Sequence, residues 1–145
     1  MVLDCFTFSD EHHLLCFSSS FLPEFIDHIH NRTQFVISFD KLLLLVLQLA
    51  VLALGEEIAW RAFFQNQLSK YIPIIPTIIL TSIIFSLGHF AVGNAVVVSY
   101  DIFFIFINSV IYGVIFYKTN NAWISAISHF IANVFSIILI SFFIF

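Results

Sequence analysis

Basic residues are scarce in this chain: Arg32, Lys41, Arg61, Lys70 and Lys118 are all that its 145 residues contain. Five scattered cations build no basic patch, which excludes a nucleic-acid partner held by phosphate neutralisation. Cysteine is scarcer still. Cys5 and Cys16 show no C-x-x-C pattern and no matching histidine spacing, so neither a disulfide framework nor a zinc finger follows, and both read as free thiols. Acids are missing from most of the chain as well, since only Glu56, Glu57 and Asp101 of the nine lie beyond Lys41. The net charge of −4 therefore comes mainly from the N-terminal residues and says little about partners. A secretory signal peptide is not indicated, because MVLDCFTFSDEHHLLCF lacks a basic start and is interrupted by Asp4, Asp10, Glu11, His12 and His13.

What fills the chain instead is apolar: 61% hydrophobic residues and a mean hydropathy of +1.05 lie outside the soluble globular range. The pattern predicts an all-α integral-membrane helical bundle with about four transmembrane helices, each needing roughly 20 apolar residues. The first runs from residue 42 into GEEIAWR. The second, 72–92, has Pro73 and Pro76 in its first turns, where proline is tolerated, and contains His89. The third, 102–117, is short and framed by Asp101 and Lys118. The fourth, 122–145, carries His129 and Asn133. Tyr71, Tyr100, Tyr117 and Trp123 fall near the helix ends, as interfacial aromatics do. Basic residues split evenly between the two sides, so charge bias sets no orientation.

Residues 41–145 thus form a transmembrane core, preceded by a polar segment, 1–40, in which apolar and polar residues mix without sustained period. That segment reads as solvated and weakly ordered. Its His28 and His30, two positions apart, fall on different sides of a helix and make no metal pair.

Ionisable groups inside a membrane helix are costly and mark function by default. Six polar side chains meet the description: Glu56, Glu57, Arg61, His89, His129 and Asn133. Glu57 and Arg61 stand at i and i+4 with the acid first, the better orientation for a supporting ion pair. Glu56, about 100° around the helix axis, has no basic partner at local spacing, so its partner must come from another helix. FSLGH offers His89, where Gly88 would let a neighbouring backbone approach. HFIAN offers His129 and Asn133 on one face.

If these groups meet, Glu56 with an imidazole can take a proton from water and make it a nucleophile. A second imidazole and a carboxamide can donate to the oxyanion formed at an amide carbonyl. Equally, Glu56, His89 and His129 can ligate a divalent metal such as zinc, whose bound water attacks. Residue types alone leave both readings open. Ser86, Ser125 and Ser128 lie near the histidines but lack a G-x-S-x-G context, and read as small packing residues.

EEIAWR, FSLGH and HFIAN follow the order E-E-x-x-x-R, F-x-x-x-H and H-x-x-x-N on successive hydrophobic segments, which resembles the CPBP family of intramembrane proteases, also called Abi or CAAX-protease-like. The resemblance covers about residues 42–140. It implies Glu56 as the water-activating base assisted by His89, His129 and Asn133 as oxyanion stabilisers, Glu57 and Arg61 as the supporting pair, and Phe85 as a packing residue. It also implies a membrane-associated peptide or protein as substrate, in the lipid bilayer of a bacterial plasma membrane. Family members usually carry further helices before the first motif, so this chain reads as a fragment or as a minimal member whose cavity a partner chain closes. Two other classes of function stand beside peptidase activity: a non-catalytic bacteriocin self-immunity or interaction protein, and a proton path using the same buried Glu and His.

Overall fold

The computed structural model describes residues 21, 23–29 and 42–144. Among them every regular element is helical: α1 (Leu42–Glu57), a π-helical stretch (Ile58–Gln65), α2 (Asn66–Leu68), α3 (Ile74–Leu87), α4 (Ala95–Thr119) and α5 (Ala122–Ile144). α1, the π-helical stretch and α2 run on as one rod, Leu43–Leu68. That rod, Ala95–Thr119 and Ala122–Leu139 are each long and apolar enough to cross a membrane. The second predicted helix, α3, has 14 residues and reaches about 21 Å at 1.5 Å per residue, short of the roughly 30 Å of bilayer hydrocarbon.

The helix ends follow from local chemistry. Pro73 occupies the N-cap of α3 at φ −56°, so the second helix starts at Ile74 and holds Pro76 in its first turn, where no intrahelical N–H is required. It stops at Leu87, with the Gly88 and His89 amides bonding back to Ile84 and Ser86. His89 therefore lies in the turn after the helix rather than within it. Among the described residues no neighbouring backbone lies against Gly88; an added Cβ would meet the Phe85 and Ile84 carbonyls of its own helix. α4 begins at Ala95, earlier than the hydropathy suggested, because the Asn94 side chain accepts the Val96 amide at 3.0 Å and caps the first turn. Asp101, expected as a flank, is consequently inside α4 and buried. Asn120 closes that helix at φ 49°, a left-handed conformation asparagine tolerates. Asn121 then caps α5 through the Trp123 amide.

Packing is inverted relative to a water-soluble bundle. Leu43, Leu44, Leu47, Val51, Phe103, Phe104 and Ile131 point outward, while Glu57, Arg61, Gln65, Thr77, Thr81, Ser82, Ser109 and Ser125 are buried. A bilayer supplies that inversion: lipid solvates the apolar faces, and small or hydrogen-bonding residues let the helices close on one another. α1 packs chiefly on α5, and α3 on α4, with α4 also against α5. Ala53, 1% exposed, and Ala126 and Gly113 keep these seams narrow.

Of residues 1–40 only 21 and 23–29 are described. Residues 23–29 are helical, His28 and Ile29 are buried, and Phe21 and Phe25 set their rings edge-on to Tyr100 at 5.4 and 5.6 Å. His28 Nε2 meets Asp101 Oδ2 at 3.2 Å. An aromatic cluster and a buried imidazole–carboxylate hydrogen bond thus tie this segment to α4. Cys5, Cys16, His12, His13 and His30 lie outside the described residues.

Candidate active site

The two adjacent glutamates of the first motif sit near the middle of the rod Leu43–Leu68 and face different surroundings. Glu57 and Arg61 are completely buried. Arg61 Nε lies 3.2 Å from Glu57 Oε2, an ion pair whose angle is too bent for a hydrogen bond. Arg61 Nη2 donates to Ser109 Oγ on α4 at 2.8 Å, and the guanidinium carbon stands 5.2 Å from the centre of the Phe85 ring, within cation–π range. One turn further on, Gln65 Nε2 donates to the Gly113 carbonyl at 3.0 Å. Glu57, Arg61 and Gln65 recur every four residues and are all buried. A helix passing from α, with 3.6 residues per turn, into wider π turns keeps such a stripe facing one way, and π segments are frequent at functional sites.

Glu56 is a third exposed. Its partners arrive from two other elements: His89 Nε2 stands 4.0 Å from Oε1 and His129 Nε2 3.7 Å from Oε2. Both separations exceed a direct hydrogen bond and suit a bridging water. The far nitrogen of each imidazole is committed. His89 Nδ1 donates to the Phe85 carbonyl at 2.9 Å, an acceptor that fixes the proton on Nδ1. His129 Nδ1 donates to Glu57 Oε1 at 3.2 Å. In the neutral rings both Nε2 atoms are therefore acceptors turned toward Glu56, an assignment made from partners. His129 donates on that side only when both of its ring nitrogens carry protons.

Phe85 organises the rings around this point. It lies 4.5 Å from His89, 6.2 Å and edge-on from His129, and 5.6 Å and edge-on from Trp60. The turn after α3 brings His89 level with the centre of the first span. Non-helical backbone at membrane depth is tolerated where it is packed in protein or meets water, and Glu56 and His89 are each about a third exposed.

Glu56, His89 and His129 are thus brought together, with Glu57 and Arg61 directly behind. Asn133 is not drawn in: it lies one turn along α5 from His129, half-buried, and hydrogen-bonds to none of the described residues. Ser86, Ser125 and Ser128 turn their hydroxyls back onto carbonyls of their own helices. Ser109, Tyr112 and Gln65 escaped the sequence reading. The i,i+4 small pair Ser109 and Gly113 on α4 was the signal for a close helix contact. Among the described residues no group of three His, Cys, Asp or Glu side chains is placed to hold a metal ion.

The family described as type II CAAX prenyl endopeptidase Rce1-like matches residues 38–135, a range that includes all six motif residues. No curated protein and no solved structure gives a match. The chain belongs to this family of membrane endopeptidases.

Proposed function

We propose that the chain hydrolyses a peptide bond of a membrane-associated peptide or protein, with Glu56 as the base that activates water. The observation that carries this reading is the convergence of two imidazole Nε2 atoms on one partly exposed carboxylate, 4.0 and 3.7 Å away. A water bridging these gaps gives one proton to Glu56 while its oxygen forms the new bond to the substrate carbonyl carbon. His89, held by the Phe85 carbonyl, orients that water as an acceptor. The carbonyl π electrons move onto oxygen, and His129, carrying on Nε2 a proton taken up from solvent before substrate binds and held at Nδ1 by Glu57, donates to the oxyanion as an imidazolium. When the oxyanion collapses, the C–N bond breaks and the proton held by Glu56 passes to the leaving amine.

Asn133 enters only if substrate draws it toward the carbonyl; its resting place leaves the carboxamide free to do so. The three side chains named for a metal lack a preformed arrangement for one, so no step is assigned to it. The family's description points to a prenylated C-terminal CAAX sequence as the substrate class, with the prenyl chain lying in lipid beside the open side of Glu56.

The test is cleavage of a farnesylated CAAX peptide and its unprenylated counterpart by protein purified into lipid nanodiscs. Wild type should cleave, and Glu56→Gln and His89→Ala at matched thermal stability should not. Retained cleavage in Glu56→Gln overturns the assignment of the base. Loss of wild-type cleavage on chelation, restored by zinc, would replace the glutamate-only mechanism with the metal one. A well-folded wild type that cleaves neither peptide favours the non-catalytic reading, in which Glu56→Gln still binds its partner or protects its host.

A further inference from the structure

We infer that Tyr112 is a positioning residue for His129, a role that rests on the peptidase reading above. Tyr112 lies on α4, 4% exposed, and its ring stacks on the His129 imidazole with centroids 4.6 Å apart and planes 19° from parallel. None of the sequence motifs contains it.

His129 needs such a constraint because its hydrogen bond leaves one freedom open. The contact from Nδ1 to Glu57 at 3.2 Å fixes one edge of the imidazole, but a ring held by one edge still tilts about that contact. Tilting would carry Nε2 away from Glu56. Tyr112 covers one face of the imidazole, and Phe85 approaches at 6.2 Å with its plane turned by 76°. Between them the ring keeps the plane that points Nε2 at Glu56 Oε2, 3.7 Å away. Offset stacking is a favoured aromatic arrangement, and an electron-rich face is also compatible with the imidazolium invoked above.

The tyrosine acts through its ring. Its hydroxyl hydrogen-bonds to none of the described residues, so removing the oxygen should leave the stack intact. That separates this role from proton transfer by a phenol, which Tyr112→Phe would abolish.

The experiment uses the full chain in nanodiscs with 13C-labelled histidine, the His129 signal being identified by its loss in His129→Gln. Stacking places the imidazole proton above a ring current and moves its resonance upfield. Tyr112→Phe should keep that upfield position and wild-type turnover. Tyr112→Leu should lose the shift and lower kcat about 10- to 100-fold, the scale of a misplaced catalytic group, with KM unchanged. Should the leucine variant fold poorly, Tyr112→Met keeps a long apolar side chain without a ring and carries the same expectation. A leucine or methionine variant with unaltered resonance, or with a moved resonance and wild-type kcat, overturns the inference, as does a Tyr112→Phe variant as slow as the leucine one. If wild type cleaves neither peptide, the peptidase reading fails, while the resonance comparison still decides whether Tyr112 orients His129.

Discussion

Among the described residues two buried imidazole–carboxylate pairs share the same separation, and their surroundings differ. His28 and Asp101 join at 3.2 Å, and so do His129 and Glu57. In the first, the N-terminal segment presses onto α4, and His28 borders a pocket that it lines with Glu24, Asp27, Val92, Gly93 and Asn94. In the second, the carboxylate is further braced by Arg61 and the far nitrogen of the histidine looks toward a second acid, Glu56, which is a third exposed. A paired imidazole suits proton chemistry when its other nitrogen faces a second titratable group, as that of His129 faces Glu56. His28 fastens two segments, and His129 stands between Glu57 and Glu56.

The sharpest break in that comparison is kinetic. Glu56→Gln removes the acid that the open nitrogen faces, and turnover should fall by about 10²- to 10⁴-fold, the range for loss of a general base. Thermal stability should stay near wild type, because a third-exposed side chain with no direct hydrogen bond is being changed. His28→Gln should do the reverse, lowering the unfolding midpoint while leaving kcat near wild type. A comparable kcat loss in both variants would erase the distinction.

Stability separates the two pairs next. Arg61→Met leaves Glu57 buried without its cation, and stability should drop by about 3–5 kcal/mol, as for a broken buried ion pair, read by chemical denaturation in detergent. Asp101→Asn keeps a hydrogen-bonding side chain opposite His28 and should cost about 1 kcal/mol. Smaller effects follow from the close approaches beside each region. Gly113→Ala would place a Cβ 2.9 Å from Gln65 Oε1 and 3.0 Å from Ile78 Cγ2, at a cost of about 1–2 kcal/mol for overpacking. Gly93→Ala meets His28 Nδ1 at 3.0 Å and Val98 Cγ2 at 3.3 Å. A side-chain ring yields more readily than a helix interior, so this variant should cost about 1 kcal/mol and spare turnover.

Much of this organisation is legible in the residues themselves. Long apolar runs interrupted by Glu56, Glu57, His89 and His129 announce a membrane bundle, since the bilayer penalises those side chains wherever they do not meet. Spacing also pairs Glu57 with Arg61. Hydropathy does not distinguish a helix from the turn that follows it, which is why His89 was expected within a span and is found just beyond one. Periodicity likewise does not reveal that His129 reaches back to Glu57 as well as Glu56, because that contact depends on how α5 crosses α1. Tyr112 shows the limit most plainly. A tyrosine in an apolar helix looks like bulk, and only the packing of α4 against α5 sets its ring on a histidine. His28 fails in the other direction: surrounded by polar residues in the sequence, it is buried because Asp101 waits for it inside a helix.

The most direct check on Glu56 is a single turnover of the farnesylated peptide in 18O-enriched water, followed by mass spectrometry of both product and protein. Activation of water by Glu56 places one 18O in the new C-terminal carboxylate of the product and none in the Glu56 side chain. Label recovered in Glu56 would mean that the carboxylate itself had attacked the substrate, and would contradict its role as a base.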